Sequence, residues 1–275
     1  EIMSSDWSSD VCSSDLMIVL EPDGMNVREI RRLDALFGHN DQEMYGVEDP
    51  RITCIGDTYY ITYVGVSEKM GVATFLMSTK DFESFERHGV MLPCENKDVV
   101  LVPEAVDGRY YCYHRPVGHI NIRKLAILAA SSPDLYCWGR HQYVFGCGTA
   151  GWHCGRIGAG TPPIRTDKGW LSIFHGVEYI GRDDVTGTYT AGGLLCALDD
   201  PGRVLAASEE PFFVPETDFE TDGYVRNVVF PTGLVRDLDD PDRLLVYYGC
   251  ADSRVAVTAF SCRAVLDSLT PVAPA

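Results

Sequence analysis

The stretch ITCIGDTYYITYVGV, residues 52–66, decides the fold, because it predicts two apolar strands joined by a short Gly-Asp turn. Gly and Asp in a two-residue connection are typical of a β-hairpin. The same unit recurs as LVPEAVDGRYYCYHRP (101–116), PPIRTDKGWLSIFHGV (162–177) and PTGLVRDLDDPDRLLVYYGCAD (231–252). Each copy carries its own turn residues, so one supersecondary unit is repeated along the chain.

A further strand and turn follow each copy. The segments are GVATFLMSTKDFESF, KLAILAASSPDLYCW, AGGLLCALDDPGRVLA and RVAVTAFSCRAVLDSL. Sets of four strands at intervals of roughly 50 to 70 residues are typical of propeller blades, whereas a β-sandwich would not repeat in fours. Long helical periodicity is absent, and CRAVLDSL (262–269) is at most a short terminal helix.

The segment before Tyr45 is too short for a whole blade, which needs about 40 residues in comparable repeats. The sequence therefore predicts an all-β, five-bladed β-propeller that lacks part of its first blade. SSDWSSDVCSSDL (4–16) repeats Ser-Ser-Asp without periodicity, so we interpret residues 1–16 as a non-native segment and 17–275 as a single propeller domain. Exposed strand edges at an incomplete blade predict poor solubility and little activity for the chain as written.

Composition excludes several classes of partner. The 275-residue chain has a formal net charge of -17 at pH 7, which argues against nucleic acid and anionic membranes. No run approaches the ~20 apolar residues of a membrane helix. The ten cysteines form no CxxC pair; Cys54, Cys112, Cys196 and Cys250 lie in apolar runs, where cysteine acts as a small hydrophobe. We expect reduced thiols and a cytoplasmic protein, with a homo-oligomer left open.

In every copy, polar residues that are unusual in strands flank the aromatic run. YGVEDPRI (45–52) carries Glu48, Asp49 and Arg51, with Pro50 fixing the backbone between them. Comparable positions in the other copies hold Asn96, Lys97, Asp98, His114, Arg115, Arg156, His175, Arg226, Asn227 and Asp252. Because equivalent positions of a propeller converge at the channel, we expect these side chains to meet at one mouth.

Each residue alone has a simpler explanation. The EDPR segment could be a turn with a neutralised acid pair, and Lys97 a solvated loop charge. His114 beside a tyrosine is more often a hydrogen-bonded core histidine than a catalyst. Arg156 could be a surface cation and Asp252 a turn cap. Their joint recurrence favours a shared site.

Six motifs, in order, resemble those of glycoside hydrolase family 130, the β-mannoside phosphorylases and their hydrolytic relatives. They are YGVEDPRIT, NKDVVLVPE, YCYHRP, GRIGAGTPPIRTDKGWLSIFHGV, NVVFPTGLV and YYGCAD, and they extend from about Tyr45 to about Phe260. The resemblance implies a five-bladed catalytic domain whose pocket holds a terminal β-linked mannose and inorganic phosphate. It implies that Asp49 is the general acid, passing its proton through a mannose hydroxyl while phosphate inverts the anomeric carbon.

The resemblance also implies the binding residues. Phosphate would be held by Lys97, Arg115, Arg156 and His175. The sugar would contact Glu48 and Asp252, with Tyr189 lining its site and Arg51 orienting the acids. Two departures stand out: Arg156 occupies a position where relatives often carry lysine, and the family's first motifs should lie upstream of Leu16.

Elementary chemistry separates the possible reactions. An attacking water would need a second carboxylate as base, whereas phosphate is already anionic and needs only cations to align it. The resemblance therefore implies inverting phosphorolysis of β-1,4-linked mannosides to α-mannose 1-phosphate and a shortened sugar, and this chemistry is consistent with it. No metal and no cofactor are expected beyond phosphate as co-substrate. A β-mannoside hydrolase and a non-catalytic sugar-binding propeller stay as alternatives, and the acceptor sugar is open.

Overall fold

The computed structural model describes residues 16–32, 40–93, 95–117, 125–179 and 186–273. The described part of the chain is all-β apart from two short helices. It begins with an antiparallel hairpin of β1 (Leu16–Leu20) and β2 (Val27–Arg32). Four propeller-like blades then follow one another along the chain.

The first two blades each contain four antiparallel strands. Blade 1 comprises β3 (Val47–Ile55), β4 (Thr58–Ser67), β5 (Gly71–Thr79) and β6 (Glu86–Leu92). Blade 2 comprises β7 (Asn96–Leu101), β8 (Tyr110–Pro116), β9 (Ala126–Ser132) and β10 (Gly139–Gly146).

The last two blades are less regular. Blade 3 comprises β11 (Arg156–Ala159), β12 (Ile164–Arg165), β13 (Trp170–Glu178), β14 (Thr188–Cys196) and β15 (Val204–Ala207). The helix α1 (Asp218–Thr221) leads to blade 4, which comprises β16 (Val229–Arg236), β17 (Arg243–Cys250) and β18 (Arg254–Ser261). The helix α2 (Cys262–Ser268) leads to β19 (Thr270–Pro271), which pairs with β15 of blade 3.

The first strands of neighbouring blades surround one axis, since β3 contacts β7, β7 contacts β11, and β16 contacts β3. Apolar side chains seal the spaces between blades. One core cluster joins blades 2 and 3 through Val100, Ile127 and Phe174. Another joins blades 3 and 4 through Ile173 and Val246. The polar ends of the first strands therefore rest on rigid packing.

A residue with positive φ lies in or just before three of the first strands. Asp49 in β3, Asp98 in β7 and Asn227 two residues before β16 have φ of 55°, 56° and 58°, the left-handed region that Asp and Asn tolerate better than most residues. The strand register is irregular across Asp49 and again across Asp98. Bulges of this kind re-aim side chains, and here they do so at the start of β3 and of β7.

In blade 3, a break between two short strands takes the place of a bulge. The segment GTPP, residues 160–163, separates β11 from β12, because proline cannot donate to the strand ladder. The amides of Gly160 and Thr161 both donate to the Ile173 carbonyl. A side chain on Gly160 would lie 2.5 Å from that same carbonyl oxygen, so only glycine fits this approach.

The predicted architecture is confirmed as an all-β, propeller-like arrangement, with the predicted turn residues at the β3–β4, β7–β8, β12–β13 and β16–β17 connections. The predicted terminal helix is α2. Five blades are not confirmed: the described residues form four blades and one hairpin, and blade 4 has three strands rather than four. The hairpin lies against blade 4, where the Tyr247 hydroxyl donates to the Gly24 carbonyl at 2.8 Å.

The prediction for residues 1–16 falls almost wholly outside the described ranges and stays a prediction. Cys112, Cys196 and Cys250 are buried, as expected for small hydrophobes. The same expectation is wrong for Cys54, which is exposed because the two-residue period of β3 places it on the solvent-facing side. None of the described helices is long and apolar enough to cross a membrane.

Candidate active site

The bulge at the start of β3 places Glu48 and Asp49 at the channel. Asp49 keeps part of its surface open to solvent but lies deep among protein atoms. This burial raises the pKa of Asp49 above its ordinary value, although Arg51 and Lys97 oppose the shift. A carboxyl group with a raised pKa retains its proton to higher pH, which suits a general acid.

Lys97, at the start of β7, connects the acids of two blades. Its Nζ donates to Glu48 Oε2 at 3.0 Å. Burial would lower the pKa of Lys97, but Asp49 and Glu48 outweigh it and hold the pKa above the usual value. The pKa of Asp252 is raised, first by desolvation and next by Glu48, although much of the residue's surface is exposed. Asp252 therefore belongs to the same electrostatic cluster.

Arg51 is coupled to the charge of Asp49 and is only 1% exposed. Its Nε donates to the carbonyl of Gly160, between β11 and β12, at 2.7 Å, and its Nη1 donates to the Pro50 carbonyl at 3.3 Å. The guanidinium lies 5.1 Å from the ring centre of Phe230. Its Nη2 is buried with no hydrogen-bond partner among the described residues.

Asp98 follows Lys97 and holds two basic groups. Its Oδ2 accepts from Arg115 Nε at 2.6 Å and lies 3.7 Å from His175 Nε2. Burial would raise the pKa of Asp98, but Arg115, His175 and Arg51 lower it to about 2. A Cβ on Gly158 would approach Asp98 Oδ2 to 2.0 Å, so a glycine is needed beside this pair.

His175 is a buried imidazole in the middle of β13, 2% exposed. Burial lowers its pKa to about 4, against the opposing charge of Asp98, so the ring is neutral near pH 7. Its ring lies 4.7 Å from Phe230 and 5.9 Å from Tyr189, measured between ring centres. Its Nδ1 is buried and has no hydrogen-bond partner in the part of the chain that the structure describes.

Arg156 approaches the cluster from the start of β11. Its Nε donates to the Tyr179 hydroxyl, and its guanidinium lies 5.4 Å from the Tyr179 ring centre and 5.9 Å from that of Tyr189. Burial raises the pKa of Tyr189, while Arg156 and Arg115 oppose the shift. Arg156 is thus packed between two tyrosines at the edge of the cluster.

The structure brings together the nine residues assigned by resemblance. Contacts or electrostatic coupling link Glu48, Asp49, Arg51, Lys97, Arg115, Arg156, His175, Tyr189 and Asp252. It leaves His114 and Arg226 apart. His114 is buried between Asn96 and His141, as a hydrogen-bonded core histidine would be. Arg226 is largely exposed and lies 3.5 Å from Asp222.

Sequence reasoning gave no role to Asp98, Phe230 or Tyr179. A role for Asp98 in the site could have been inferred by aligning the repeats, because Lys97-Asp98 occupies the position of Glu48-Asp49. Phe230 and Tyr179 carried no such signal, since aromatic residues are frequent in these strands. Among the described residues, no three His, Cys, Asp or Glu side chains form a group that could hold a metal ion.

The arrangement has two chemical halves. One holds a carboxyl group with a raised pKa beside two further acids. The other gathers arginines and a neutral histidine around one ionised aspartate, in a chain whose net charge is -17. Two buried nitrogen atoms, Arg51 Nη2 and His175 Nδ1, have no hydrogen-bond partner among the described residues.

Comparison with known proteins points to the same chemistry. The family profile described as beta-1,4-mannooligosaccharide phosphorylase, glycoside hydrolase family 130, matches residues 8–270. A beta-1,2-mannobiose phosphorylase from Listeria innocua is 40% identical over 221 residues, covering 80% of this chain and 59% of the relative. A 1,2-beta-oligomannan phosphorylase from Thermoanaerobacter is 36% identical over 249 residues, covering 89% of this chain and 77% of the relative.

A solved structure is also similar. The beta-1,2-mannobiose phosphorylase from Listeria innocua, in complex with beta-1,2-mannobiose, superposes with a TM-score of 0.78 at 32% identity. The match covers 92% of this chain and 82% of that chain. In the sequence comparison, however, this chain spans less than two thirds of the length of the Listeria innocua relative.

Proposed function

We propose, from the premise that this chain belongs to glycoside hydrolase family 130, that it catalyses the inverting phosphorolysis of β-mannosides. The products would be α-mannose 1-phosphate and a shortened sugar. The observation that carries the proposal is the pairing of Asp49, whose pKa is raised by burial, with a neighbouring group of Lys97, arginines and His175.

In the proposed reaction, an oxygen of phosphate forms a bond to the anomeric carbon while the glycosidic carbon–oxygen bond breaks. The departing oxygen takes a proton that originates on Asp49 and passes through a mannose hydroxyl, as the family resemblance implies. Attack from the face opposite the leaving group inverts the anomeric centre. Because phosphate is already anionic, no second carboxylate is required to activate it.

Binding roles follow from position. Arg115, Lys97, Arg156 and His175 would hold phosphate, since charge-assisted contacts to its oxygens are strong. Glu48 and Asp252 would hold the hydroxyl groups of mannose, with Tyr189 beside them. Arg51 is buried with two of its donors bound to backbone carbonyls, so we assign it to orienting the acids rather than to binding phosphate.

The proposal also has to specify which mannosidic linkage is cleaved. The motifs favoured a β-1,4 bond, and the family profile bears that description. The two relatives described above are named for β-1,2-linked substrates and match at 40% and 36% identity. We therefore propose β-1,2-mannobiose or a β-1,2-oligomannan as the first substrate to test, with β-1,4-mannobiose as the alternative.

The proposal also covers the number of blades, the co-substrate and the location of the protein. The hairpin against blade 4 supports a ring completed by a fifth blade. The proposed reaction needs phosphate as co-substrate and no other cofactor. The cytoplasmic location predicted from the cysteine pattern stays a prediction.

Product analysis tests the proposal. Purified protein is incubated with β-1,2- and β-1,4-mannobiose, with and without phosphate, and the products are resolved by anion-exchange chromatography and phosphorus NMR. We expect α-mannose 1-phosphate only when phosphate is present. Free mannose formed at an equal rate without phosphate would overturn the proposal in favour of a hydrolase.

A further inference from the structure

Phe230, the second residue of β16, has no role in the proposed reaction, yet its ring packs against the centre of the site. The guanidinium carbon of Arg51 lies 5.1 Å from the ring centre. The ring of His175 lies 4.7 Å away and that of Tyr189 lies 6.2 Å away, measured between ring centres. A residue of blade 4 therefore packs on an arginine of blade 1 and on a histidine of blade 3.

Three blades enclose the Arg51 guanidinium. Its own strand supplies the Pro50 carbonyl, which accepts from Nη1 at 3.3 Å, and blade 3 supplies the Gly160 carbonyl, which accepts from Nε at 2.7 Å. Blade 4 supplies the ring of Phe230, whose negative face attracts a cation within about 6 Å. An added Cβ on Gly160 would lie 3.0 Å from the Pro231 carbonyl, so the backbone after Phe230 runs directly beside this glycine.

Arg51 is coupled to two carboxylates but is bonded to neither. The charges of Asp49 and Asp98 both act on it. Among the described residues, no hydrogen bond or ion pair joins its guanidinium to either acid, and its Nη2 is buried without a hydrogen-bond partner. Because a charge-assisted pair with a carboxylate is the favourable alternative, the contacts that keep Arg51 from forming one determine the charge around Asp49.

We propose that Phe230 is a positioning residue that keeps the Arg51 guanidinium on the carbonyls of Gly160 and Pro50 and away from the Asp49 carboxyl group. The ring acts through Arg51, so this role needs no contact between Phe230 and a substrate. With the guanidinium held off, burial outweighs the neighbouring charges and the pKa of Asp49 stays raised. The inference rests on the proposed function only for its consequence in turnover, where Asp49 is the general acid.

The position of Arg51 matters because, of the charges that lower the pKa of Asp49, its effect is the largest. The other charged groups that couple to Asp49 or to its neighbours are Lys97, Glu48, Asp98 and Asp252. An opposite charge within about 4–6 Å favours the ionised form of a carboxyl group. A closer approach of Arg51 would therefore lower the pKa of Asp49.

Carbon-13 NMR of the Asp49 carboxyl group, titrated with pH in the full chain without substrate, tests the inference. Phe230→Leu removes the ring and releases Arg51, so Asp49 should titrate about one pH unit lower than in the wild type. Arg51→Met removes the cation and should move the titration to higher pH. In the Arg51→Met background, Phe230→Leu should have no further effect, because no guanidinium is left to position.

Two further variants serve as controls. Phe230→Tyr keeps a ring over the guanidinium and should keep the wild-type titration. Phe260→Leu also removes a ring from blade 4, but that ring packs on Phe212 and Phe213, so the titration of Asp49 should not change. In every variant, the alkaline limb of kcat/KM should move in the same direction as the NMR titration.

An unchanged titration in Phe230→Leu would overturn the inference. An equal downward shift with and without Arg51 would do the same, because water entering the space of the lost ring would lower the pKa of Asp49 without any arginine. Should Arg51→Met fail to fold, nitrogen-15 NMR of Arg51 Nε decides. A resonance that moves in Phe230→Leu supports the released guanidinium, and an unchanged one overturns it.

The titration and the product analysis can fail separately. If Asp49 titrates as expected in all variants but no α-mannose 1-phosphate forms, only the proposed function fails. If phosphorolysis occurs while Asp49 titrates in Phe230→Leu as it does in the wild type, only this inference fails.

Discussion

Blades 1 and 2 each begin with a bulged strand that carries an aspartate, but the two aspartates differ in pKa. Asp49 and Asp98 each follow a charged residue, each lie in a bulge, and have nearly equal φ values of 55° and 56°. Yet the pKa of Asp49 is raised by burial, and that of Asp98 is lowered to about 2. One residue is suited to give a proton, and the other to remain charged.

The difference comes from the neighbouring arginine. Asp98 accepts directly from Arg115 Nε at 2.6 Å. Arg51, the arginine near Asp49, gives its Nε and Nη1 to the carbonyls of Gly160 and Pro50 instead. Equivalent backbone positions therefore do not carry equivalent chemistry. Where the arginine donates to backbone carbonyls instead, desolvation outweighs the neighbouring charges and the pKa of the carboxyl group is raised.

The largest expected effect comes from removing the proton donor. Asp49→Asn keeps the shape of the side chain but cannot supply a proton, so kcat should fall about 10²- to 10⁴-fold. Sugar binding should survive, as measured by calorimetry with the substrate. Asp134→Asn serves as the control. If Glu48→Gln lost activity while Asp49→Asn kept most of it, the two acids would have exchanged roles.

The next effect concerns the space that Asp98 occupies. In Gly158→Ala, the new Cβ would lie 2.0 Å from Asp98 Oδ2 and 2.6 Å from His175 Cε1, so the pair must move. Overpacking of this kind costs about 1–3 kcal/mol of unfolding free energy. The KM for phosphate should rise more than the KM for sugar. Gly139→Ala is the matched control, since nothing lies within 4 Å of its added Cβ.

Asp98 should also make stability depend on pH. A carboxyl group whose folded pKa is depressed adds stability above its unfolded pKa of about 4 and loses it as the pH falls through the folded value of about 2. The expected contribution is about 2 kcal/mol. Urea unfolding at pH 5 and pH 2.5 should show a smaller loss in Asp98→Asn than in the wild type. An equal loss in both proteins would contradict the ion pairing.

The smallest expected effect is a shift in the pKa of Asp49, read from the pH dependence of kcat/KM. Because its pKa is raised, kcat/KM for the sugar at saturating phosphate should fall as rising pH removes its proton. Lys97 lowers the pKa of Asp49, so Lys97→Met should move this alkaline limb to higher pH. A shift to lower pH, or none, would show that the limb belongs to another group.

The sequence was sufficient for the repeat, its hairpin turns and the terminal helix, because turn residues and strand periodicity are local signals. It also placed Glu48, Asp49 and Lys97 near each other, since equivalent repeat positions converge. It could not assign a role to Asp98, because that role depends on Arg115 in β8 and His175 in β13, whose distances to Asp98 exist only after folding. Local sequence patterns also did not determine the number of blades.

The central claim is that two aspartates at equivalent backbone positions have pKa values displaced in opposite directions from the ordinary value. Carbon-13 NMR of the side-chain carboxyl groups, titrated with pH and assigned through Asp49→Asn and Asp98→Asn, measures this directly. We expect the Asp49 carboxyl group to titrate above 3.8 and that of Asp98 to titrate near 2. Two carboxyl groups that titrate together, or Asp49 titrating below Asp98, would contradict the claim.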